Sequence, residues 1–102
     1  MPTLHTVNKS PFEKNALSSC VDHASDGDAI LLIEDGVYGA LEGTSCGKKL
    51  GSKSGPVSLY VLGPDLQARG LGKSKLVGGV SVVDYEGFVD LVTQHDVTQS
   101  WL

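Results

Sequence analysis

Asp28-Ala29-Ile30-Leu31-Leu32-Ile33-Glu34 sets five consecutive apolar residues between two carboxylates. The run is too short for a buried helix. It also lacks the alternation of a strand with one wet face, so it reads as a strand buried on both sides. Such strands belong to parallel sheets covered by helices on both faces.

On either side of this run the chain alternates strand-like and helix-like pieces. Thr3-Leu4-His5-Thr6-Val7 is short and β-branched, which suits a strand. Ser10-Pro11-Phe12-Glu13 offers a cap, a first-turn proline and a capping-box glutamate, which predicts a helix start there. Phe12, Ala16, Leu17, Cys20, Val21 and Ala24 share one face of that helix, and Gly27 closes the segment. Asp35-Gly36 leads into a weak helix over 37–41. Residues 43–56, GTSCGKKLGSKSGP, predict a mobile surface loop that could be shortened with little effect on folding. Val57–Leu62 reads as a strand, and residues 63–70 as a short helix with Pro64 inside its start and Gly70 past its end. Val80–Val83 is a fourth strand. Asp84 then caps a helix in which Tyr85, Phe88, Val89 and Val92 recur at i, i+3, i+4 and i+7. The expectation is an α/β layer sandwich forming one domain over residues 1–102, with a mainly parallel sheet of four to five strands and helices on both faces.

The 102 residues leave room for one core. Eight Lys and Arg against twelve Asp and Glu give a net charge of −4, which argues against coating nucleic acid. No apolar run approaches the roughly 20 residues that span a bilayer. The opening residues lack the basic-then-apolar plan of a signal peptide, so the expected location is cytoplasmic.

In an open α/β sheet the functional edge lies beyond the carboxyl ends of the strands. Asn8-Lys9-Ser10, Glu34-Asp35-Gly36, Gly63-Pro64-Asp65 and Asp84-Tyr85 fall there. Asp35, Asp65 and Asp84 compete with any anion for the helix N–H groups, so capping is the expected use. Gly72-Lys73-Ser74 resembles the end of a phosphate loop, but its first glycine falls on Gln67 and no strand precedes it. Nucleotide hydrolysis is therefore excluded. His5, His23 and His95 have no ligand spacing with one another or with a cysteine, so no metal is expected. No G-x-S-x-G elbow is present.

Two cysteines do not make a disulfide framework. Cys20 sits on the apolar helix face, where burial raises a thiol pKa, and packing is the plain reading. Cys46, with Lys48, Lys49 and Lys53 nearby, has the surroundings of a reactive thiol, but on a segment expected to be mobile.

Leu4-His5-Thr6-Val7-Asn8-Lys9-Ser10-Pro11-Phe12 resembles the L-H-T-x-x-x-S-P-[FW] opening of the DsrH/TusB family. Gly27-Asp28, Glu34–Val37, Tyr60–Leu71, Val83–Leu91 and Trp101 continue the likeness, and only residues 42–56 stand outside it. The resemblance implies a DsrE-like fold and a cytoplasmic subunit that helps pass persulfide sulfur. The implied partners are DsrE/TusD-like and DsrF/TusC-like chains in an α₂β₂γ₂ hexamer, with a DsrC/TusE-like sulfur acceptor. No membrane, direct nucleic-acid contact or cofactor is implied. Cys20 matches the cysteine of DsrH-type chains, which makes it the candidate sulfur carrier and tilts the expectation toward dissimilatory sulfur oxidation. The alternatives are a TusB-like subunit for 2-thiolation of the tRNA wobble uridine, or a noncatalytic assembly subunit whose partner carries the sulfur. Whether the chain is itself a sulfurtransferase stays open; a persulfide carrier is expected rather than a stand-alone enzyme. A chain built for assembly should also expose an apolar patch.

Overall fold

The structure, a computed structural model, describes residues 2–102; Met1 lies outside the described residues. Five strands form the sheet: β1 (Thr3–Val7), β2 (Ala29–Leu32), β3 (Ser58–Leu62), β4 (Val80–Val83) and β5 (Val97–Trp101). Their order is β4-β3-β2-β1-β5, and every neighbouring pair is parallel. The mainly parallel expectation thus becomes an all-parallel sheet. Helices α1 (Ala16–His23), α2 (Ser45–Gly51), α3 (Gly63–Ala68) and α4 (Tyr85–Gln94) complete the molecule, with a 3-10 helix over Glu34–Ala40.

The strand order dictates the layers. From β1 to β4 the chain steps in one direction across the sheet, and right-handed crossovers put those connections on one face. The connection from β4 to β5 runs back past β1, so α4 lies on the other face. Side chains alternate accordingly. Val7, Ile30, Leu32, Leu59 and Val61 pack with Leu17, Cys20 and Val21 of α1, Leu50 of α2 and Leu66 of α3. Leu4, Ala29 and Leu31 face Leu91 of α4, with half-buried Phe88 beside them.

Four elements depart from the sequence reading. Ser10 does make a cap-like turn, its Oγ accepting from the Phe12 N–H, but the helix starts only at Ala16. Phe12 therefore lies off the packed helix face and is 68% exposed. The segment expected as a mobile loop contains α2. Thr44 caps it by accepting from the Gly47 N–H at 3.0 Å, and Leu50 inserts into the core. A Cβ at Gly47 would run into the Leu41 carbonyl, so this glycine permits close packing. The lysines act as tethers: Lys49 bonds Ser18 Oγ and Asp22, and Lys53 bonds the Ala24 carbonyl. The weak helix over 37–41 is the end of the longer 3-10 segment, and β5 is a strand that the polar stretch Thr98-Gln99-Ser100 had concealed.

Candidate functional site

His5 is in the middle of β1 and points to the face under α1. Its Nε2 lies 2.9 Å from Asp28 Oδ2, and its Nδ1 accepts the indole N–H of Trp101 at 3.1 Å. His5 and Asp28 are both buried, 1% and 6% exposed. Asp28 also accepts the backbone N–H groups of Thr3 and Ser25, at 2.9 and 3.0 Å. Burial works to raise the Asp28 pKa, but the His5 hydrogen bond and the two backbone donors outweigh it and hold the carboxyl below its ordinary value. His23 stands edge-on to both rings, 6.2 Å from His5 and 5.6 Å from Trp101 between centroids.

This network joins three places distant in sequence: the first strand, the residue before β2, and the last strand. Asp28 lies at the amino end of β2, opposite the edge where open α/β sheets bind ligands, while His5 is midway along β1 and Trp101 reaches back from the carboxyl end of β5, level with Val7. No nucleophile hydrogen-bonds to His5 among the described residues. The arrangement is built to hold strands together. Sequence reading treated His5 only as a possible metal ligand and left Asp28 and Trp101 without chemistry. The available signal was that all three lie in segments carrying the family resemblance.

At the carboxyl edge the three aspartates are already engaged. Asp84 Oδ1 caps α4 through the Gly87 N–H at 2.8 Å, as expected. Asp65 takes the Glu34 N–H at 2.6 Å, where Glu34 is held in left-handed backbone at φ 49°. Asp35 pairs with Arg69 at 2.8 Å. The strand order reverses between β1 and β5, and just past β1 the Asn8 Oδ1 is buried without a hydrogen-bond partner. A Cβ at Gly36 would collide with the Val7 carbonyl, so glycine lets the chain cross closely over this end of β1.

Cys20 is 0% exposed in the core under α1. Burial first, and then the nearby Asp28 charge, push its thiol up to about 12. That disfavours the thiolate, the form that attacks sulfur, at neutral pH. Cys46 lies in the first turn of α2, half-buried, and its thiol donates to Thr44 Oγ1 at 3.2 Å. It borders a cavity of about 250 Å³ between α1 and α2, together with Lys14, Ser18 and Lys49. The two cysteines are not bonded to each other. Among the described residues no cluster of three His, Cys, Asp or Glu side chains is placed to hold a metal ion. No described helix is long and apolar enough to cross a membrane.

These features define a small α/β protein with a five-stranded parallel sheet and a buried polar clasp. The fold is similar to that of the YchN protein of Escherichia coli, with a TM-score of 0.74 at 15% identity over 98% of this chain and 99% of that one. It is also similar to protein Tm0979 of Thermotoga maritima, with a TM-score of 0.64 at 26% identity over 90% and 92% of the two chains. A family model described as DsrH like protein matches residues 9–98. The chain is 36% identical over 98 residues to Protein TusB of Pectobacterium parmentieri, 37% to that of Erwinia tasmaniensis and 33% to that of Escherichia coli. Each match covers 96% of this chain and 99% of the relative. The chain belongs to the DsrH-like family.

Proposed function

We propose that this chain is a TusB-type subunit of a sulfur-relay complex, on the branch leading to 2-thiouridine at the tRNA wobble position, and that it serves assembly rather than carrying sulfur itself. The observation that carries this reading is the likeness to TusB proteins, 33–37% identical over 96% of the chain. The tilt toward dissimilatory sulfur oxidation rested on the presence of Cys20 alone. The TusB relatives favour the thiolation branch instead.

Persulfide transfer needs an acceptor thiolate that attacks the outer sulfur of R–S–SH, taking that sulfur and releasing R–S⁻. Cys20 lacks both exposure and ionisation. In this reading the working cysteine belongs to a DsrE/TusD-like chain and the sulfur passes to a DsrC/TusE-like acceptor. This chain and a DsrF/TusC-like one complete an α₂β₂γ₂ assembly in the cytoplasm. The surface it offers is apolar: Tyr85, Val89 and Val92 on α4 are between 41% and 61% exposed. Such a patch on so small a chain fits a subunit contact.

The test is complementation of a bacterium lacking its own TusB protein, with tRNA 2-thiouridine measured by mass spectrometry. Wild type and Cys20→Ala should both restore the nucleoside, and Val89→Asp should abolish both restoration and recovery of a complex with the two partner chains. Failure of the wild type would overturn the thiolation reading. A Cys20→Ala protein that assembles but does not restore would make Cys20 a carrier.

A further inference from the structure

An indole nitrogen can only donate, so Trp101 fixes His5 Nδ1 as an acceptor. The imidazole proton must then sit on Nε2, directed at Asp28 Oδ2. Donation therefore runs one way, from indole to imidazole to carboxylate. A second proton on His5 has one place to bind, Nδ1, and binding there removes the acceptor that Trp101 uses. The same proton strengthens the other half of the chain, because an imidazolium would then face a carboxylate. Two arrangements compete: a neutral imidazole with both hydrogen bonds, and an imidazolium–carboxylate pair with a released indole.

We propose that His5 is a proton-operated latch on β5: when it takes up a proton, Trp101 is released and the last strand loosens from the sheet. β5 is the element suited to respond. It is an edge strand, paired with β1 alone, and Val97 to Ser100 are exposed. Apart from the ladder, its side-chain ties to β1 are the Trp101–His5 bond and a Thr6–Ser100 hydroxyl contact at 3.3 Å. β1, β2 and β3 lie between neighbours, and β4, the opposite edge, pairs with β3 and carries no buried hydrogen-bonded ring of this kind.

Few ionisable groups face His5. Asp28, preceding β2, attracts the proton. His23 of α1, edge-on to the ring, would oppose it if charged itself. Cys20, on the same helix, stays neutral and contributes no charge. Lys53 is engaged with the Ala24 carbonyl at the end of α1. On β5 the residues paired across from His5 and Val7 are Gln99 and Trp101, neither of which titrates.

Trp101 is the only tryptophan, so one indole N–H signal in a proton–nitrogen spectrum reports the latch directly. The full chain, labelled with nitrogen-15, is titrated from about pH 8 to about pH 5, while the His5 ring nitrogens are followed by long-range correlation. As His5 gains its proton, the indole signal should shift and its exchange protection, corrected for the intrinsic rate, should fall about tenfold or more. The β5 amides should lose protection with it, and those of β2 and β3 should not. His23→Gln should retain the transition and His5→Gln should abolish it; if His5→Gln does not fold, the wild-type ring signals decide. An indole that stays unchanged while His5 protonates, or that follows His23 instead, overturns the proposal. So does a His5 that remains neutral until the whole protein unfolds.

Discussion

Among the described residues, fourteen buried apolar side chains form the cluster under α1, α2 and α3, whereas four form the cluster under α4. The strands contribute to this: Thr6, Ser58, Ser81, Thr98 and Ser100 fall on the α4 face, whereas the other face is apolar along β2, β3 and β4. Topology adds to it: three short helical connections share one face, and a single helix returns across the other. A helix about 10 Å wide cannot cover five strands spaced about 4.8 Å apart. Phe88 and Leu91 reach the sheet, while Tyr85, Val89 and Val92 remain in solvent. One face is finished by the chain itself, and the other is only partly covered.

That contrast is open to direct attack. The largest effect is expected from Leu50→Ala, which removes the apolar anchor of α2 from the closed face. It should cost about 3 kcal/mol in urea denaturation. A loss under about 0.5 kcal/mol would return the segment to the status of a loop.

Next comes the clasp on the same face. Asp28→Asn places an amide donor among three donors, and should cost about 2 to 3 kcal/mol. Because the folded carboxyl titrates below its ordinary value, its stabilisation is present at neutral pH and is lost as pH falls through that lowered value. Wild type and Asp28→Asn should therefore converge in stability under acid conditions. Parallel curves down to low pH would contradict the clasp.

A smaller effect separates Cys20 from solvent. A thiol raised to about 12 stabilises the fold fully below its ordinary value of 9.0, and that contribution drains away as pH rises. The alkaline loss specific to wild type should reach about 1.5 kcal/mol by about pH 10, and Cys20→Ala should lack it. Identical alkaline profiles would mean that the thiol is reachable. The smallest effect belongs to the open face: Val89→Ser should change the stability of the free chain by no more than about 0.5 kcal/mol. A cost like that of Leu50→Ala would show that α4 is packed after all.

Where local chemistry decides, the sequence was legible. The apolar run at Ala29–Ile33, the proline and glycine bracketing α3, and the Asp84 cap all lead to observed elements. Three kinds of information were missing from it. Glycine, lysine and serine suggested a loop around α2 because composition does not reveal that Gly47 is pressed against a carbonyl. β5 carries a polar edge-strand sequence, which offers no period to detect. The α4 pattern correctly identified an apolar face but not what it meets. The clasp was the least legible feature, since its bonds link residues 23 and 96 positions apart. Cys20 was placed in the interior by its helix face alone, and the structure encloses it there.

The pairing of β1 with β5 also has a kinetic side. It brings Thr6 against Ser100, across 94 positions, so the strand formed from the start of the chain waits for nearly all the rest before its second edge is covered. Loop closure over that span must precede any reward from the ladder, which makes docking of β5 a late and slow step. During synthesis at about 5–20 residues per second, β1 to β4 can associate while the edge of β1 stays bare for seconds. A bare parallel edge of that kind is a template for mispairing. The Trp101–His5 bond, formed by the last strand to arrive, closes that interval.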